Sequence, residues 1–342
     1  MSTKADDQLA SQLLHMINGS WIAQACYVMA RLGVPDLLAS GPCTAEELAT
    51  KTGAHAPSLQ RLLSAMGSID LCSQREDGSF ELTRMGSLLR SDVPNSLHAW
   101  ALHWGGESWS VWANLLHTIR TGESARALLT GTSGFTHLDR NPEAAAIFNQ
   151  AMVALTRLVA IQVAKSYDFT GKLVMDVGGG YGELLAQILL AHPTASGVLF
   201  DMAHAIEKAR GPLTERGLID RCELVSGDFF ANIPADADVY VLKSVIHDWP
   251  DERAVAILKT CRRAMRPGAR LLLVERVMPE RLTPSANHEA LARSDLHMLV
   301  ALAAQERTSA EFETLLYSAD LEPLRHIESG AEYRIIEAGI AA

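Results

Sequence analysis

Residues 174–193, VMDVGGGYGELLAQILLAHP, place three consecutive glycines between a short apolar run and an amphipathic one. An apolar run of strand length, followed directly by a tight turn and a helical pattern, is typical of the strand–turn–helix unit of an α/β sheet. Because glycine has no side chain, the backbone of this turn can approach a small molecule closely. The stretch therefore predicts an α/β fold with a ligand site at the carboxyl end of a strand.

The rest of the C-terminal half repeats this alternation of strand and helix patterns. Short apolar segments such as GVLFDM, CELVSGD, DVYVLKSVIHDW and RLLLVERV are separated by helical patterns, and PLRHIES and YRIIEAG follow near the end. Such alternation predicts a mainly parallel sheet with helices on both faces, which we assign to residues 166–342.

The N-terminal region has a different pattern, which is mostly helical. Residues 11–32 carry apolar residues on more than one helical face, so a helix buried among others is expected there. Two short helices should follow, the first capped by Thr44 with Glu47 and the second by Ser58. Residues 71–83, LCSQREDGSFELT, predict two strands around an Asp77–Gly78 turn. This is the outline of a winged helix over residues 1–95, and residues 96–165 form a further helical region.

A winged helix raises the alternative of a DNA-binding regulator. The second short helix would be the recognition helix, yet its only basic residue between positions 56 and 69 is Arg61. The formal charge of -10, from 40 acidic and 30 basic residues, also opposes binding to a phosphate backbone. The region is therefore interpreted as a packing or dimerisation module, and nucleic acid is not expected as a partner.

Length and composition set further limits. A chain of 342 residues exceeds the usual size of one core, so two unequal domains are expected. Five scattered cysteines without CxxC spacing indicate neither a disulfide framework nor a zinc site. The polar and acidic start does not resemble a signal peptide, and no uninterrupted apolar run approaches the roughly 20 residues of a membrane span. A cytoplasmic protein without a membrane partner is the expectation.

The acidic residues around the glycine turn indicate the charge of its ligand. Position 183 is Glu where a dinucleotide fingerprint would have its third glycine, and Asp176 would repel a pyrophosphate but attract an amino group or a sulfonium. Asp201 lies where an acidic residue binds ribose hydroxyls, while Asp228 and Phe229 are placed to contact an adenine. Together with Gly178 and Gly180, these residues favour S-adenosylmethionine over NAD, the alternative being ordinary strand-end turns.

Six segments appear in an order that resembles a known family. These segments are DVGGGYG, FD, GDFF, HDWPDE, VERV and QERT. Their order resembles that in the S-adenosylmethionine-dependent small-molecule O-methyltransferases. This family includes plant caffeate and flavonoid enzymes and bacterial enzymes of aromatic natural-product pathways. The resemblance runs from the winged-helix region to the last strand. It implies a Rossmann-like catalytic domain and an N-terminal domain that forms an intertwined homodimer and helps to close the substrate pocket.

The resemblance also implies roles for individual residues. The catalytic base corresponds to His247, which is expected at the end of a strand before a helix capped by Asp248. Glu275 and Glu306 correspond to the two carboxylates that orient this base. Lys243 corresponds to a cofactor contact, and Met152 and Met298 correspond to methionines that flank the acceptor. The segment LVALAAQERT departs from the family because it lacks the glycine-rich run before ERT.

The chemistry of these residues suits transfer to a phenol. A phenol has a pKa of about 10, so it needs a base, and a neutral histidine with a carboxylate on its far nitrogen can serve. No carboxylate cluster resembling a magnesium site is present, so no metal is expected. Trp104 and other aromatic residues of the helical region are candidates for covering a flat aromatic acceptor. N-methylation, C-methylation or a reaction that does not use the methyl group remain alternatives.

Overall fold

A computed structural model describes residues 4–329 and 332–341 of the chain. Its contacts divide the chain into two compact units, Met1–Ser110 with Ala146–Ala154 and Val111–Ala145 with Leu155–Ala342.

The first unit consists of helices with one small hairpin. Thr44 and Glu47 form the expected capping box, with the Thr44 amide 2.8 Å from the Glu47 carboxylate and the Glu47 amide 3.2 Å from the Thr44 hydroxyl. The two strands pair antiparallel around Gly78, as expected for a hairpin. The elements are α1 (Lys4–Arg31), α2 (Val34–Ala39), α3 (Ala45–Thr52), α4 (Ala56–Gly67), β1 (Cys72–Gln74), β2 (Phe80–Leu82), a 3₁₀ turn (Gly86–Leu89) and α5 (His98–Gly105).

One expectation about these helices is wrong, and a second is not met within a single chain. Ser58 lies inside α4, which begins at Ala56 after His55, because the proline that follows Ala56 is already held at a helical φ angle. Helix α1 is also not buried along its length: Leu13, Ile17 and Trp21 are 58%, 61% and 70% exposed. Only its C-terminal part, around Met29, enters the core of this unit, so an apolar face of α1 is left uncovered by its own chain.

The second unit is built on a large sheet of mainly parallel strands, which confirms the predicted fold class. The strand order is β5–β4–β3–β6–β7–β10–β9; the first five of these run parallel, and β10 is antiparallel to both of its neighbours. The strands are β3 (Leu173–Val177), β4 (Ser196–Asp201), β5 (Cys222–Ser226), β6 (Val239–Lys243), β7 (Arg270–Met278), β8 (Arg307–Thr308), which pairs with β7, β9 (Leu321–Glu328) and β10 (Tyr333–Ile340).

Buried apolar clusters cover both faces of this sheet, so its central strands are almost continuously hydrophobic. The remaining helices are α6 (Glu107–Ala113), α7 (Leu115–Thr121), α8 (Ala125–Thr130), α9 (Thr136–Asp139), α10 (Pro142–Ser166), α11 (Glu183–Ala191), α12 (Ala203–Glu215), α13 (Asp251–Ala264), α14 (Ala286–Leu302) and α15 (Ser309–Tyr317).

The order of the strands reverses at β3, which pairs with β4 on one side and β6 on the other. Ligands of such sheets bind at the carboxyl ends of the strands beside this reversal. The turns that follow β3 and β6 are therefore the places where the sheet positions a functional site.

One helix among the described residues, Pro142–Ser166, is long and apolar enough to cross a membrane by length and composition alone. Core helices of soluble proteins meet the same criterion, and 39% of its most apolar window is buried. The finding is weak evidence for a membrane span, and the cytoplasmic location stays a prediction.

Candidate active site

The glycine turn after β3 is shaped by its surroundings. Gly178 has φ +71, a left-handed conformation that glycine adopts without strain. A Cβ atom on Gly179 would lie 2.5 Å from Leu199 Cδ1 and 2.6 Å from the carboxylate of Asp176. Any larger residue at position 179 would therefore push the turn away from the sheet.

Asp176 is a buried carboxylate beneath this turn. It is 1% exposed, and its Oδ2 atom has no hydrogen-bond partner among the described residues. Burial raises the pKa of Asp176 to about 7, and Asp201 adds to this rise while Lys243 opposes it. An unpaired buried carboxylate oxygen is costly unless a ligand supplies a donor or a positive charge. The residue thus fits a cationic ligand.

Asp201 lies at the carboxyl end of β4, as expected from the sequence. Its Oδ2 accepts from the amide of Gly180 at 2.7 Å, and its Oδ1 accepts from the amide of Met202 at 2.6 Å. Each carboxylate oxygen can accept more than one hydrogen bond, so Asp201 is held rigidly and can still receive ribose hydroxyls.

Asp228 and Phe229 follow β5. The Asp228 carboxylate accepts from the amide of Phe230 at 2.8 Å, which fixes the turn in which both phenylalanines lie. The rings of Phe229, Phe230 and Trp249 meet edge to face with centroids 4.7 to 6.1 Å apart. A Cβ on Gly178 would lie 3.6 Å from Phe229, so this aromatic group adjoins the glycine turn.

The turn after β6 carries the candidate base. The strand ends at Lys243, and His247 lies in a 3₁₀ turn, Ile246–Asp248, rather than at the end of the strand itself. Glu275 on β7 holds this turn, because its Oε1 accepts from the amides of Val245 at 3.1 Å and Ile246 at 2.9 Å. The Val245 side chain would lie 3.0 Å from a Cβ on Gly178, so the glycine turn and the histidine turn are neighbours.

The His247 side chain is 7% exposed, and its imidazole has a carboxylate at each nitrogen. Its Nδ1 is 3.0 and 3.1 Å from the two oxygens of Glu306 and 3.7 Å from Oε2 of Glu275. Its Nε2 is 3.4 Å from Oδ1 of Asp248. With Nδ1–H donating to Glu306, the neutral ring carries its lone pair on Nε2, which is the tautomer a base requires.

Asp248 was expected to cap the following helix, and this expectation is wrong. Helix α13 begins at Asp251 after Pro250, without a side-chain cap, since Asp248 lies in the 3₁₀ turn that precedes it. Burial raises the pKa of Asp248 to about 7, partly offset by His247. The residue therefore belongs to the electrostatic surroundings of the imidazole.

The acidic surroundings set the charge of the imidazole. Burial by itself lowers the pKa of His247, but Glu306, Glu275 and Asp248 outweigh it and raise that pKa well above 6.5. Burial by itself would raise the pKa of Glu306, but the nearby His247 and a hydrogen bond from Ser294 bring the pKa of Glu306 below its usual value. Burial keeps the pKa of Glu275 raised. Glu306 is therefore the carboxylate that best stabilises a protonated His247, and Glu275 lies beside this pair.

Two residues that support Glu306 were missed by the sequence reasoning. The Ser294 hydroxyl donates to its Oε1 at 2.6 Å, and the Asp295 carboxylate accepts from its backbone amide at 2.9 Å. Both residues lie on α14, 11 and 12 positions before Glu306. No sequence signal distinguishes these two residues from the other polar residues of the helix.

The residues expected at the acceptor lie on helices of both units. In the first unit, Met152 on α10 is half-buried, and so is Trp104 on α5, whose ring packs edge to face with that of Trp100 at 5.5 Å. In the second unit, Met298 on α14 is 8% exposed.

His247, Glu275 and Glu306 each offer one atom within 4.8 Å of the others, which is close enough to hold a metal ion. The separations of 3.0 and 3.1 Å between Nδ1 and Glu306 equally suit a hydrogen bond, which explains the cluster without a metal. The expectation of a metal-free site stays a prediction.

Comparisons with known proteins identify the chain. The O-methyltransferase domain model matches residues 112–321, and the O-methyltransferase dimerisation domain model matches residues 14–92. The phenazine O-methyltransferase of Lysobacter antibioticus is 45% identical over 331 residues, which cover 96% of each chain. An 8-amino-8-demethylriboflavin N,N-dimethyltransferase of Streptomyces davaonensis is 34% identical over 98% of this chain and 97% of its own.

A solved structure adds the cofactor. An O-methyltransferase from neocarzinostatin biosynthesis, in complex with S-adenosylmethionine and 2-hydroxy-5-methyl naphthoic acid, has a TM-score of 0.80 and 34% identity, covering 94% of this chain and 96% of its own. The resemblance drawn from the sequence and the preference for S-adenosylmethionine over NAD are thereby confirmed. The chain belongs to the O-methyltransferase family and is an S-adenosylmethionine-dependent O-methyltransferase.

Proposed function

We propose that the enzyme methylates a phenolic hydroxyl of an aromatic small molecule in natural-product biosynthesis, with His247 as the general base. The observation that carries this proposal is the buried imidazole whose Nδ1 faces Glu306 at 3.0 Å, in a turn that adjoins the glycine turn. Since Nδ1 is engaged, Nε2 is the nitrogen left to accept a proton.

The proposed cofactor contacts follow from charge and shape. The glycine turn, including Gly178 and Gly180, provides close backbone approach, and Asp176 provides an unpaired carboxylate oxygen for the cationic part of the cofactor. Asp201 binds the ribose hydroxyls. The adenine and the remaining polar groups of the cofactor contact Asp228, Phe229 and Lys243.

The reaction needs one proton transfer and one methyl transfer. When bound, S-adenosylmethionine supplies an electrophilic methyl group on its sulfonium sulfur. The phenolic proton moves to Nε2 of His247 while the oxygen forms a bond to the methyl carbon, and the carbon–sulfur bond breaks to leave S-adenosylhomocysteine. Glu306 neutralises the imidazolium that forms, and Glu275 holds the turn in place.

Positioning supplies the rest of the rate enhancement. Holding oxygen, methyl carbon and sulfur in line converts a bimolecular reaction into an effectively unimolecular one. We assign Met298 to the wall that holds the acceptor, because a thioether packs well against an aromatic ring. Met152 and Trp104 stay predictions as acceptor contacts.

The proposed assembly is a homodimer formed through the dimerisation domain. Its support is the matched domain over residues 14–92 and the exposed apolar face of α1 that includes Leu13, Ile17 and Trp21. A face of this kind exposed on a single chain is typical of a protein–protein contact.

Substitution of the base tests the function. The His247→Ala variant should bind S-adenosylmethionine with nearly the wild-type affinity, because the glycine turn is unchanged, while methyl transfer to a phenol falls about 10²- to 10⁴-fold. Part of the loss should be recovered as the pH approaches the phenol's own pKa of about 10, because hydroxide then supplies the phenolate. The measurements are calorimetry for binding and transfer of a labelled methyl group to a panel of phenols. Wild-type turnover by this variant at neutral pH would refute the assignment.

The N,N-dimethyltransferase among the relatives favours one alternative, methylation of an amine. A neutral aromatic amine already has a free lone pair, so its methylation should depend far less on His247. The same panel should therefore include aromatic amines. If amines react faster than phenols and His247→Ala has little effect on them, the acceptor is nitrogen.

A further inference from the structure

The turn that carries His247 begins with a strained residue. Ser244, directly after β6, has φ +54, in the left-handed region that residues other than glycine, asparagine and aspartate seldom adopt. Among the described residues only five non-glycine residues have positive φ, and three of these are aspartates. A strained residue persists only where its surroundings hold it, and such residues concentrate at functional sites.

Strand β7 holds the backbone on one side of Ser244. The Ser244 amide donates to the carbonyl of Val274 at 3.0 Å, and the next two amides donate to the carboxylate of Glu275. Three successive backbone donors are thus bound by two adjacent residues of one strand. These bonds hold the backbone from the β7 side, and the side chain of Ser244 has a further partner.

Tyr333 on β10 is the partner of that side chain. The Ser244 hydroxyl donates to the Tyr333 hydroxyl at 3.3 Å, and Tyr333 is fully buried. Lys243 Nζ lies 5.0 Å from the centroid of the Tyr333 ring, and Arg276 Cζ lies 4.7 Å from it. Both contacts are within cation–π range, so the ring is fixed by two cations as well as by the sheet.

The two cations connect Tyr333 with both parts of the site. Lys243 immediately precedes Ser244, and its charge acts on Asp176 below the glycine turn. Arg276 donates toward Ser294 at 3.4 Å, the serine whose hydroxyl donates to Glu306. Tyr333 therefore contacts Ser244, where the histidine turn begins, and Arg276. Arg276 in turn contacts Ser294, which donates to Glu306, the partner of His247.

We infer that Tyr333 is a positioning residue for His247: its hydroxyl holds Ser244 in the left-handed conformation, and this conformation sets the position of the imidazole three residues later. The inference rests on the proposed role of His247 as the base. Tyr333 itself takes no part in the proton transfer.

The Tyr333→Phe variant tests the inference because it keeps the ring and both cation contacts but removes the hydroxyl. The maximal rate of methyl transfer should fall about 3- to 30-fold, since a displacement of 1 Å can cost about 100-fold and this change is smaller. The affinity for S-adenosylmethionine should stay within about twofold of wild type. Tyr240→Phe is the matched control, because Tyr240 on β6 is equally buried and its hydroxyl donates to the carbonyl of Ala264, at the end of α13, at 2.8 Å.

Two double variants separate positioning from a general loss of stability. Glycine adopts the left-handed conformation without support, so Tyr333→Phe should have little further effect in a Ser244→Gly background. In a His247→Ala background it should have none, since no imidazole remains to be positioned. A melting curve for each variant confirms that it is folded.

The results distinguish this inference from the proposed function. A wild-type maximal rate for Tyr333→Phe, a loss no larger than that of Tyr240→Phe, or an undiminished effect in either double variant would overturn the role of Tyr333. Wild-type turnover of His247→Ala alone would instead overturn the proposed base.

Discussion

At the scale of single residues, the site depends on charge more than on shape. One imidazole has three carboxylates within 3.7 Å of its nitrogens, and all of them are removed from bulk water. Glu306 has the shortest contact and its pKa is lowered, whereas burial raises the pKa of Glu275. Glu275 is bound mainly to backbone amides, so the two glutamates have different tasks.

The pH dependence of methyl transfer should report this arrangement. Because Glu306, Glu275 and Asp248 together raise the pKa of His247 well above 6.5, the base is protonated at lower pH and kcat/KM should rise with pH through a limb above 6.5. Glu306→Gln removes a negative charge, so it should move this limb to lower pH and also lower the plateau, because the imidazolium loses its counter-charge. Rates measured between about pH 6 and 9 with Glu275→Gln as the comparison provide the test. An unmoved limb in Glu306→Gln would contradict the assignment.

Asp176 predicts a separate pH effect on cofactor binding. Burial raises its pKa to about 7, so below that pH the free protein carries a neutral carboxyl that attracts a cation poorly. If binding requires the carboxylate, affinity for S-adenosylmethionine should increase about tenfold between pH 6 and 8. Calorimetry of wild type and Asp176→Asn isolates the effect, since the cofactor's own titration is common to both. Equal pH dependence of the two proteins would show that Asp176 does not face the cationic part.

At the scale of elements, the carboxyl ends of β3, β4, β5, β6 and β7 supply most of the proposed site. Asp201 and Lys243 are the last residues of β4 and β6, and Asp228 follows β5, whereas Asp176 and Glu275 lie within β3 and β7 near their ends. Parallel strands bring these ends to the same edge, which is why residues far apart in sequence act together. Glu306, its supporting residues and Met298 come from the later region, from α14 to the residue before β8.

The glycine turn offers a direct test at this scale. Gly179→Ala would place a Cβ 2.5 Å from Leu199, so the turn or the sheet must shift, and we expect a loss of about 1 to 3 kcal/mol in the free energy of unfolding together with weaker cofactor binding. Gly211→Ala in α12 is the matched control: nothing lies within 4 Å of its Cβ position, and alanine should be neutral or slightly stabilising in a helix. Denaturant unfolding and calorimetry measure both effects. An unaltered affinity in Gly179→Ala would argue against a close backbone contact with the cofactor.

At the scale of the whole molecule, the exposed face of α1 is the proposed site of dimerisation. The sequence is apolar there, yet this face stays exposed among the residues that the structure describes, and the dimerisation domain model matches this region. A second copy of the chain explains both observations.

Placing a charge on this face should separate the protomers. Ile17 is 61% exposed, so an aspartate at this position should not disturb the fold of a single chain. The same charge would be costly in an apolar contact between two chains. Ile17→Asp should therefore lower the mass measured by light scattering from that of two chains to that of one. Leu324→Asp, at a 46% exposed position on β9, is the matched control and should leave the mass unchanged. A wild-type protein with the mass of one chain would refute the proposed homodimer.

The sequence by itself determined the fold class, the family and the cofactor. The spacing of apolar residues that predicts strands and helices is a local feature of the sequence. Motifs such as DVGGGYG and HDWPDE are local too, so they indicate the family without knowledge of the rest of the structure. Caps were predicted less well: the Thr44 capping box is correct, whereas Ser58 and Asp248 are not caps, because a proline or a preceding turn shifted the helix start.

Only the tertiary structure decided which groups meet. It distinguished Glu306, at 3.0 Å from His247, from Glu275, and it brought Tyr333 to Ser244 across 89 positions of sequence. It also left α1 partly uncovered, although its apolar pattern alone is equally consistent with a buried helix. The physical reason is that a hydrogen bond or a buried face depends on distances set by the packing of remote elements, and no local pattern contains those distances.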